Sequence, residues 1–215
     1  MIEQLDVLIR WTPFLAGGFA WNIIITVLAA LIGTIIGAGL AMMRHSTTVV
    51  LSRTGVVAPT FFRSTPTLVL MFYLATLIPD QVSLFDGDLL ISIPNWFKAT
   101  LAMTASQIGF NSMNIYNAVS DWRAGARTSA MLIIPNWLGA FLITLLSSSG
   151  ASLVGVSELV SRVNTVIKAE GADYTIALYL YAISFFLLSG WFFISLIKTA
   201  TSKLSAQYPV ASTEV

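Results

Sequence analysis

The sequence predicts an all-α integral membrane protein with five membrane-spanning helices. Of the 215 residues, 56% are hydrophobic and only 10% are charged, and the mean hydropathy is +0.82. Soluble domains carry roughly 25% charged residues, so this composition excludes an ordinary water-soluble protein. The apolar residues fall in five stretches, each long enough to cross a hydrocarbon core of about 30 Å. We expect a single transmembrane domain, residues 1–215, without a soluble domain.

The five stretches are separated by short polar loops. The first is longer than a perpendicular span requires, so we expect it to tilt or to project from the membrane. The second contains Pro66, which removes a backbone hydrogen bond and interrupts a helix. The polar tail, 205–215, is expected to be disordered. The predicted spans are 14–43, 54–78, 95–120, 135–153 and 173–199.

Charge is divided unequally between the two sets of loops. Loops 44–53 and 121–134 and the tail after residue 197 carry six basic residues against Asp121 and Glu214. The opposite set carries eight acidic residues against four basic ones. By the positive-inside rule the basic side is cytoplasmic, which places the amino terminus outside and the carboxyl terminus in the cytoplasm. The acidic start, 1–6, differs from the basic start of a cleaved signal peptide, so we expect the first helix to be retained.

Polar residues recur along one face of the third predicted span. Thr100, Thr104, Gln107, Asn111 and Asn114 follow one another at intervals of four, three, four and three residues, which is helical spacing. An amide left unpaired in lipid costs several kcal/mol, so this face must contact protein or water. It either lines a polar translocation pathway or forms hydrogen bonds between helices, and both can hold.

Small and hydroxyl residues in the first and fourth spans favour close helix packing. Thr144, Ser148 and Ser152 share a face of the fourth span at helical spacing. Gly33 and Gly37 form a small-xxx-small pair in the first span. We assign Gly33, Gly37 and Ser152 to helix packing. The pathway candidates are Thr104, Gln107, Asn111, Asn114, Thr144 and Ser148.

The sequence contains no constellation for catalysis or metal binding. It has no cysteine, and the single histidine, His45, is expected to be a solvated loop residue. No nucleophile, histidine and acid set, no phosphate-binding Gly-Lys loop and no intramembrane carboxylate cluster is present. We therefore expect no catalytic residues, no metal and no cofactor in this chain. Nothing in the net charge of +1 indicates a nucleic-acid partner.

Three strings of residues in a fixed order resemble a known family. They are Phe62-Arg63-Ser64-Thr65-Pro66, then Asn111-Ser112, then Ser149-Gly150-Ala151-Ser152-Leu153-Val154-Gly155-Val156-Ser157-Glu158-Leu159. Over residues 14–204 the sequence resembles the permease subunits of polar amino acid ABC importers, of the histidine, glutamine and glutamate type. The resemblance implies a type I importer fold with five helices in a bacterial cytoplasmic (inner) membrane.

The resemblance also implies partners and residue roles. Such permeases form homodimers or heterodimers on cytoplasmic ATPase subunits, which bind ATP and Mg²⁺, and an extracytoplasmic solute-binding protein delivers the substrate. It places Glu158 near the outer mouth of the pathway. It assigns Arg63, Ser64, Thr65 and Pro66 to a helix break near the inner gate, where we expect the guanidinium to bond to carbonyls freed by Pro66 or to a partner helix. Direct contact of Arg63 with solute is the alternative.

The sequence departs from the family in the loop that couples transport to ATP. The Glu-Ala-Ala motif of that loop is missing, and the segment between Asn111-Ser112 and Pro135 is too short by on the order of 25 residues, about one helix-turn-helix. We therefore expect a subunit that pairs with a second permease retaining the loop. The alternatives are a permease-fold structural or regulatory subunit without a pathway of its own, and an autonomous channel or carrier.

Overall fold

The computed structural model describes residues 2–84 and 89–207, most of which are helical. The helices are α1 (Ile2–Arg44), α2 (Val49–Ser64), α3 (Thr67–Leu77), α4 (Asn95–Arg123), α5 (Arg127–Met131), α6 (Ile133–Ser147), α7 (Leu159–Glu170) and α8 (Thr175–Gln207). Two 3-10 segments, Ser148–Val154 and Ala172–Tyr174, precede α7 and α8. Strands β1 (Gln81–Leu84) and β2 (Leu89–Ser92) form an antiparallel hairpin in which Gln81 pairs with Ser92.

Helix length and hydropathy support part of the predicted membrane topology. Within the described residues, three segments are long and apolar enough to cross a membrane, namely Glu3–Arg44, Arg127–Val154 and Ala172–Leu204. They correspond to the first, fourth and fifth predicted spans. The predicted second span is divided into helices of 16 and 11 residues, and polar residues lower the hydropathy of α4. The count of five spans and the orientation stay predictions.

The break between α2 and α3 follows from Pro66, as predicted. Pro66 cannot donate a backbone hydrogen bond, and Thr65 before it adopts an extended backbone with φ −84° and ψ 121°. The hydroxyls of Ser64 and Thr65 donate to the carbonyls of Thr60 and Phe61, at 2.8 and 3.0 Å. Both are local bonds within the last turns of α2, whereas the carbonyl that loses its helical donor to Pro66 is that of Phe62, four residues earlier.

The chain divides into two compact units, and α1, α4 and α8 contribute residues to each of them. The first unit consists of Met1–Ala29, Pro66–Thr104 and Thr144–Ser189, and the second of Ala30–Thr65, Ala105–Ile143 and Gly190–Val215. The predicted single transmembrane domain stays a prediction. The predicted tail begins within α8, which ends at Gln207, and residues 208–215 lie outside the described residues.

The core of the first unit forms around α7, a helix between the last two predicted spans. Leu159, Val163 and Val166 are fully buried and recur at helical spacing along one face. They pack with Leu15 of α1 and Leu178 of α8 in one apolar cluster. Burying a side chain of this kind stabilises the fold by about 1.5–3 kcal/mol. The α7 helix is thus a packing element of the first unit.

The face predicted for Thr144, Ser148 and Ser152 does not include Ser152, because the α-helix ends at Ser147. From Ser148 onward the chain is a 3-10 segment, in which 3.0 residues complete a turn and positions four apart diverge by about 120°. The hydroxyls of Ser148 and Ser152 donate to the carbonyls three residues earlier, at 2.6 and 2.9 Å. Gly155, with φ +84°, ends the segment in the left-handed conformation that glycine favours.

Candidate functional site

Two of the three amides on the polar face of α4 bond to α6 within the second unit. Gln107 Nε2 donates to the Ala140 carbonyl at 3.1 Å, and Asn114 Nδ2 donates to the Ile133 carbonyl at 3.1 Å. Asn111 Nδ2 donates to Gln107 Oε1 at 2.9 Å. All three amide side chains are buried. The hydrogen bonds between helices, one of the two predicted uses of this face, are therefore present, and the pathway role stays a prediction.

One acceptor on this face is buried without a partner. Asn111 is 0% exposed, and its Oδ1 has no hydrogen bond to any residue that the structure describes. Asn111 also lines an apolar cavity of about 430 Å³, together with Thr34, Asn114 and Trp137. An unmet buried acceptor costs about 1–3 kcal/mol, so Asn111 Oδ1 is a candidate contact for a donor outside this chain.

Two glycines of α1 bring its backbone close to α4. A Cβ on Gly33 would overlap the Cβ of Gln107, and a Cβ on Gly37 would lie 2.9 Å from the Ser112 nitrogen. At Gly39, by contrast, a Cβ would meet no described atom within 4 Å. Gly33 and Gly37 therefore lie where helix packing requires the absence of a side chain.

The remaining pathway candidates are buried in the first unit. Thr104, Thr144 and Ser148 are 3%, 6% and 0% exposed. The Thr104 hydroxyl donates to the Thr100 carbonyl at 2.8 Å. These hydroxyls lie inside the unit rather than on its surface, and the structure does not bring them to an open channel within the described chain.

A buried polar network connects three segments of the first unit. Asn22 Nδ2 donates to Ser148 Oγ at 2.8 Å and to Glu158 Oε2 at 2.9 Å, and Asn22 Oδ1 accepts from the Leu159 nitrogen at 3.1 Å. Asn22, Ser148 and Glu158 are each 0% exposed. The sequence interpretation did not include Asn22, although a lone amide in an apolar span is itself a signal of an internal partner.

Glu158 caps the amino terminus of α7. Its carboxylate accepts from the Val160 nitrogen at 3.1 Å and the Ser161 nitrogen at 2.9 Å, which are donors without intrahelical partners. The negative charge also lies at the positive end of the helix dipole. Burial raises the pKa of Glu158, while hydrogen bonds from Asn22, Ser161 and Val160 oppose the rise. The carboxylate predicted near the outer mouth is thus enclosed within this chain.

We expect Glu158 to make the protein more stable as pH falls from the folded-state pKa of its carboxyl group toward the ordinary value of 4.5. The folded-state pKa lies above the ordinary value of 4.5, so the folded protein binds this proton more readily than the unfolded chain does. Stability linked to Glu158 therefore increases as pH falls through the folded-state pKa and levels off below 4.5. Unfolding midpoints measured across this pH range test the sign.

Two substitutions distinguish the contribution of Glu158 to the pH dependence of stability from that of other titrating groups. Glu158→Gln removes the titration and should flatten its part of the pH dependence. Asp173→Asn, at an exposed carboxylate, is the matched control and should leave the slope unchanged. Equal slopes for the wild type and Glu158→Gln would contradict this assignment.

The Arg63 side chain makes only one of its two predicted contacts testable within this chain. Arg63 is exposed, and within the described residues its guanidinium bonds to no carbonyl at the Pro66 break. Contact with a partner helix stays a prediction. The backbone of Arg63 packs against α4, because a Cβ on Gly109 would lie 2.7 Å from the Arg63 nitrogen. The gate role of the break stays a prediction.

His45 differs from its predicted solvated state. Its ring stacks on Tyr116 with the centroids 4.6 Å apart, and its Nε2 is buried without a hydrogen-bond partner among the described residues. Tyr116 lies on α4, so a distant helix supplies the contact. Across residues 2–84 and 89–207, no group of three or more His, Cys, Asp or Glu side chains is placed to hold a metal ion.

The connection between α4 and α6 is short. It contains α5, a helix of five residues, and a turn at Gly125 with φ +83°. Apart from α5, the described residues 124–132 form no helix. The helix-turn-helix expected for a family coupling loop is therefore absent from this connection.

Solved transporter structures share this arrangement of helices. The chain is similar to one in the crystal structure of an amino acid ABC transporter with histidines, with a TM-score of 0.74 over 91% of this chain and 96% of that one. It is also similar to one in an inward-facing structure of the MetNI methionine ABC transporter, with a TM-score of 0.57 over 89% and 98%. Both are permease structures. The chain has the ABC permease fold.

The ABC permease fold confirms, at the level of architecture, the resemblance read from the sequence strings. Sequence identity to the two structures is 16% and 15%, so the likeness concerns the fold alone. Comparisons of the sequence with protein-family models and with curated proteins gave no match. The permease subunits in these two structures are not catalytic.

Proposed function

We propose that this chain is a transmembrane subunit of an ATP-driven ABC importer for amino acids or similar polar solutes. The observation that carries the proposal is the fold, which matches an ABC permease over 91% of the chain. Both similar structures belong to transporters named for amino acids, which supports that solute class. The importer would lie in a bacterial inner membrane, with ATPase subunits in the cytoplasm and a solute-binding protein outside.

A second permease subunit is part of the proposal. Energy from ATP reaches a pathway only through a physical contact whose two states bias the transmembrane helices. In this chain the α4–α6 connection offers only the five-residue α5 for such a contact. A heterodimer in which the partner permease carries the Glu-Ala-Ala loop would supply the missing contact, and each subunit would form half of the pathway.

The pathway candidates differ in whether their polar groups already have hydrogen-bond partners. Gln107 and Asn114 are already bonded to α6, whereas Asn111 keeps a buried acceptor without a described partner. We assign Asn111 Oδ1, which is enclosed in this structure, as the group of this chain that accepts a hydrogen bond from solute or water when the pathway opens.

The alternative function is a permease-fold structural or regulatory subunit without its own pathway. The burial of Thr104, Gln107, Asn114, Thr144 and Ser148 within the chain favours it, because buried and bonded side chains hold helices together without contacting solute. The two functions differ in what happens to transport when Asn111 is changed.

The experiment is affinity capture of the full chain from its native membrane, followed by uptake measurements on the captured complex in proteoliposomes. We expect a second permease, an ATPase and ATP-dependent uptake of an amino acid. Asn111→Leu should lower uptake about tenfold with assembly intact, the loss expected from one hydrogen bond of about 1.4 kcal/mol. Asn117→Leu, at an exposed asparagine of the same helix, is the control.

Two outcomes would contradict the proposal. Unchanged uptake by the assembled Asn111→Leu complex would support the structural subunit. Uptake or conductance by the isolated chain in liposomes, without an ATPase, would support an autonomous carrier or channel.

A further inference from the structure

A cavity in the second unit is lined by two arginines, Arg44 and Arg63. Its volume is about 310 Å³, and its wall is completed by α2 and α4. Three small wall residues, Gly55, Gly109 and Ser112, leave the space open. A Cβ at Gly55 would lie 2.5 Å from the Arg44 nitrogen, so α1 and α2 meet backbone to backbone beside the cavity. We call this space the arginine cavity.

Neither guanidinium of the arginine cavity is neutralised by the chain. The ion pairs found among residues 2–84 and 89–207 are Arg10–Glu170 and Lys98–Asp80. The Arg44 guanidinium carbon lies 3.8 Å from the Tyr116 ring centroid, and Arg44 Nη1 contacts the Met113 sulfur at 3.4 Å. An aromatic face and a thioether orient a guanidinium but carry no negative charge. Two cations therefore border one cavity without a described counter-ion.

The rim of the arginine cavity is partly apolar, since Val56 and Met113 line it beside Thr60 and Ser64. Val56, which lines it, is 44% exposed, and Val57 and Phe61 on the same helix are 65% and 67% exposed. Exposed apolar side chains of a membrane-spanning chain fit acyl chains. Arg44 ends α1, at the side that the positive-inside rule assigns to the cytoplasm. Cations beside lipid-facing apolar residues at that side are the chemistry that recognises an anionic headgroup.

An acidic side chain of another subunit is a less favourable partner for the arginine cavity than a lipid phosphate. Its charge would carry a large desolvation cost before it reached the guanidiniums, and it leaves the exposed Val57 and Phe61 of α2 unexplained. A phospholipid carries both a phosphate for the guanidiniums and acyl chains that can cover those apolar residues. Guanidinium groups also match the planar, multidentate geometry of phosphate oxygens.

We propose that the arginine cavity binds the phosphate of an anionic phospholipid from the surrounding bilayer, through Arg44 and Arg63. The proposal goes beyond the proposed function and is independent of it, since a permease and a structural subunit would bind the lipid equally well.

The test uses the full chain in nanodiscs that contain equal amounts of phosphatidylglycerol and phosphatidylcholine. After extraction in mild detergent, the lipids retained by the protein are quantified by native mass spectrometry. We expect a retained excess of phosphatidylglycerol, and a decrease in that excess of about fivefold in Arg63→Gln and in Arg44→Gln. Arg63→Lys should keep most of the preference because the charge remains.

Arg53→Gln is the matched control. Arg53 is also an exposed arginine of α2, but it does not line the arginine cavity. It should retain phosphatidylglycerol as the wild type does. If Arg44→Gln fails to fold because its contact with Tyr116 is lost, Arg63→Gln decides, since the Arg63 side chain is exposed and unbonded.

Three results would overturn the proposal. One is equal retention of both lipids by the wild type. Another is an equal loss in Arg53→Gln and Arg63→Gln, which would indicate a general charge effect. The third is displacement of phosphatidylglycerol by inorganic phosphate alone, which would identify a soluble anion as the ligand.

Discussion

Asn22→Ala is expected to lower the free energy of unfolding by about 3 kcal/mol, because it leaves a buried carboxylate and a buried hydroxyl without their shared donor. Asn22 donates to Ser148 and Glu158 and accepts from the Leu159 nitrogen, so one small side chain connects α1 to the 3-10 segment and to α7. For a chain of this length the loss corresponds to a fall in Tm of roughly 6–12 °C. Thermal unfolding followed by size-exclusion chromatography in detergent measures it.

Asn117→Ala is the control for Asn22→Ala. Asn117 is exposed on α4, and a surface change of this kind stays within about 0.5 kcal/mol. A second comparison uses Glu158→Gln as the background. If Asn22 acts through the carboxylate, Asn22→Ala costs less in that background than in the wild type, because the two groups are in one network. Equal costs in both backgrounds would show that the network is not the source of the effect.

Gly33→Ala is expected to destabilise the protein by about 2 kcal/mol, against the trend of helix propensity. Alanine in a helix interior is favoured over glycine by about 1 kcal/mol. At Gly33, however, the new Cβ would overlap Gln107 Cβ and lie 3.0 Å from the Gln107 carbonyl carbon, so the two helices would have to separate. Forcing added atoms into a packed contact typically costs about 1–3 kcal/mol.

Gly39→Ala is the matched control, because it makes the same change in the same helix with no described atom within 4 Å of the new Cβ. It should leave stability unchanged or raise it by up to about 1 kcal/mol. Unfolding midpoints of the two variants, measured side by side, should therefore move in opposite directions. A stabilised Gly33→Ala would exclude the close α1–α4 contact.

The break between α2 and α3 follows from local chemistry, and the sequence predicted it. Pro66 cannot continue α2, and its ring restricts the backbone of the residue before it, so the break needs no distant contact. The 3-10 segment is also local in origin, since Ser148, Ser149 and Ser152 each bond to a carbonyl three residues back. The sequence nevertheless predicted an α-helix over Ser148–Val154, because nothing in an apolar run of this length distinguishes a 3-10 helix from an α-helix.

The partners of the polar side chains lie far from them in the sequence, so the sequence did not reveal which groups would meet. The spacing of Gln107, Asn111 and Asn114 placed them on one face, but only the fold showed that two of them bond to α6 while Asn111 keeps an open acceptor. His45 was expected in solvent, yet Tyr116 of α4 covers its ring. The outer-mouth position of Glu158 stays a prediction, but only the fold showed that its carboxylate accepts a hydrogen bond from Asn22 of α1.

The sequence by itself determined that the chain is a helical membrane protein, that its second span is interrupted, and that its amides share a face. Composition and short-range periodicity settle such features because they depend on neighbours within one or two turns. Only the tertiary structure decided which donor meets which acceptor. Asn22 and Ser148 are 126 positions apart and Asn22 and Glu158 are 136 apart, so their bonds arise only when three segments pack together. The arginine cavity has the same origin, since α1 and α2 bring Arg44 and Arg63 to one wall only after they have folded against α4.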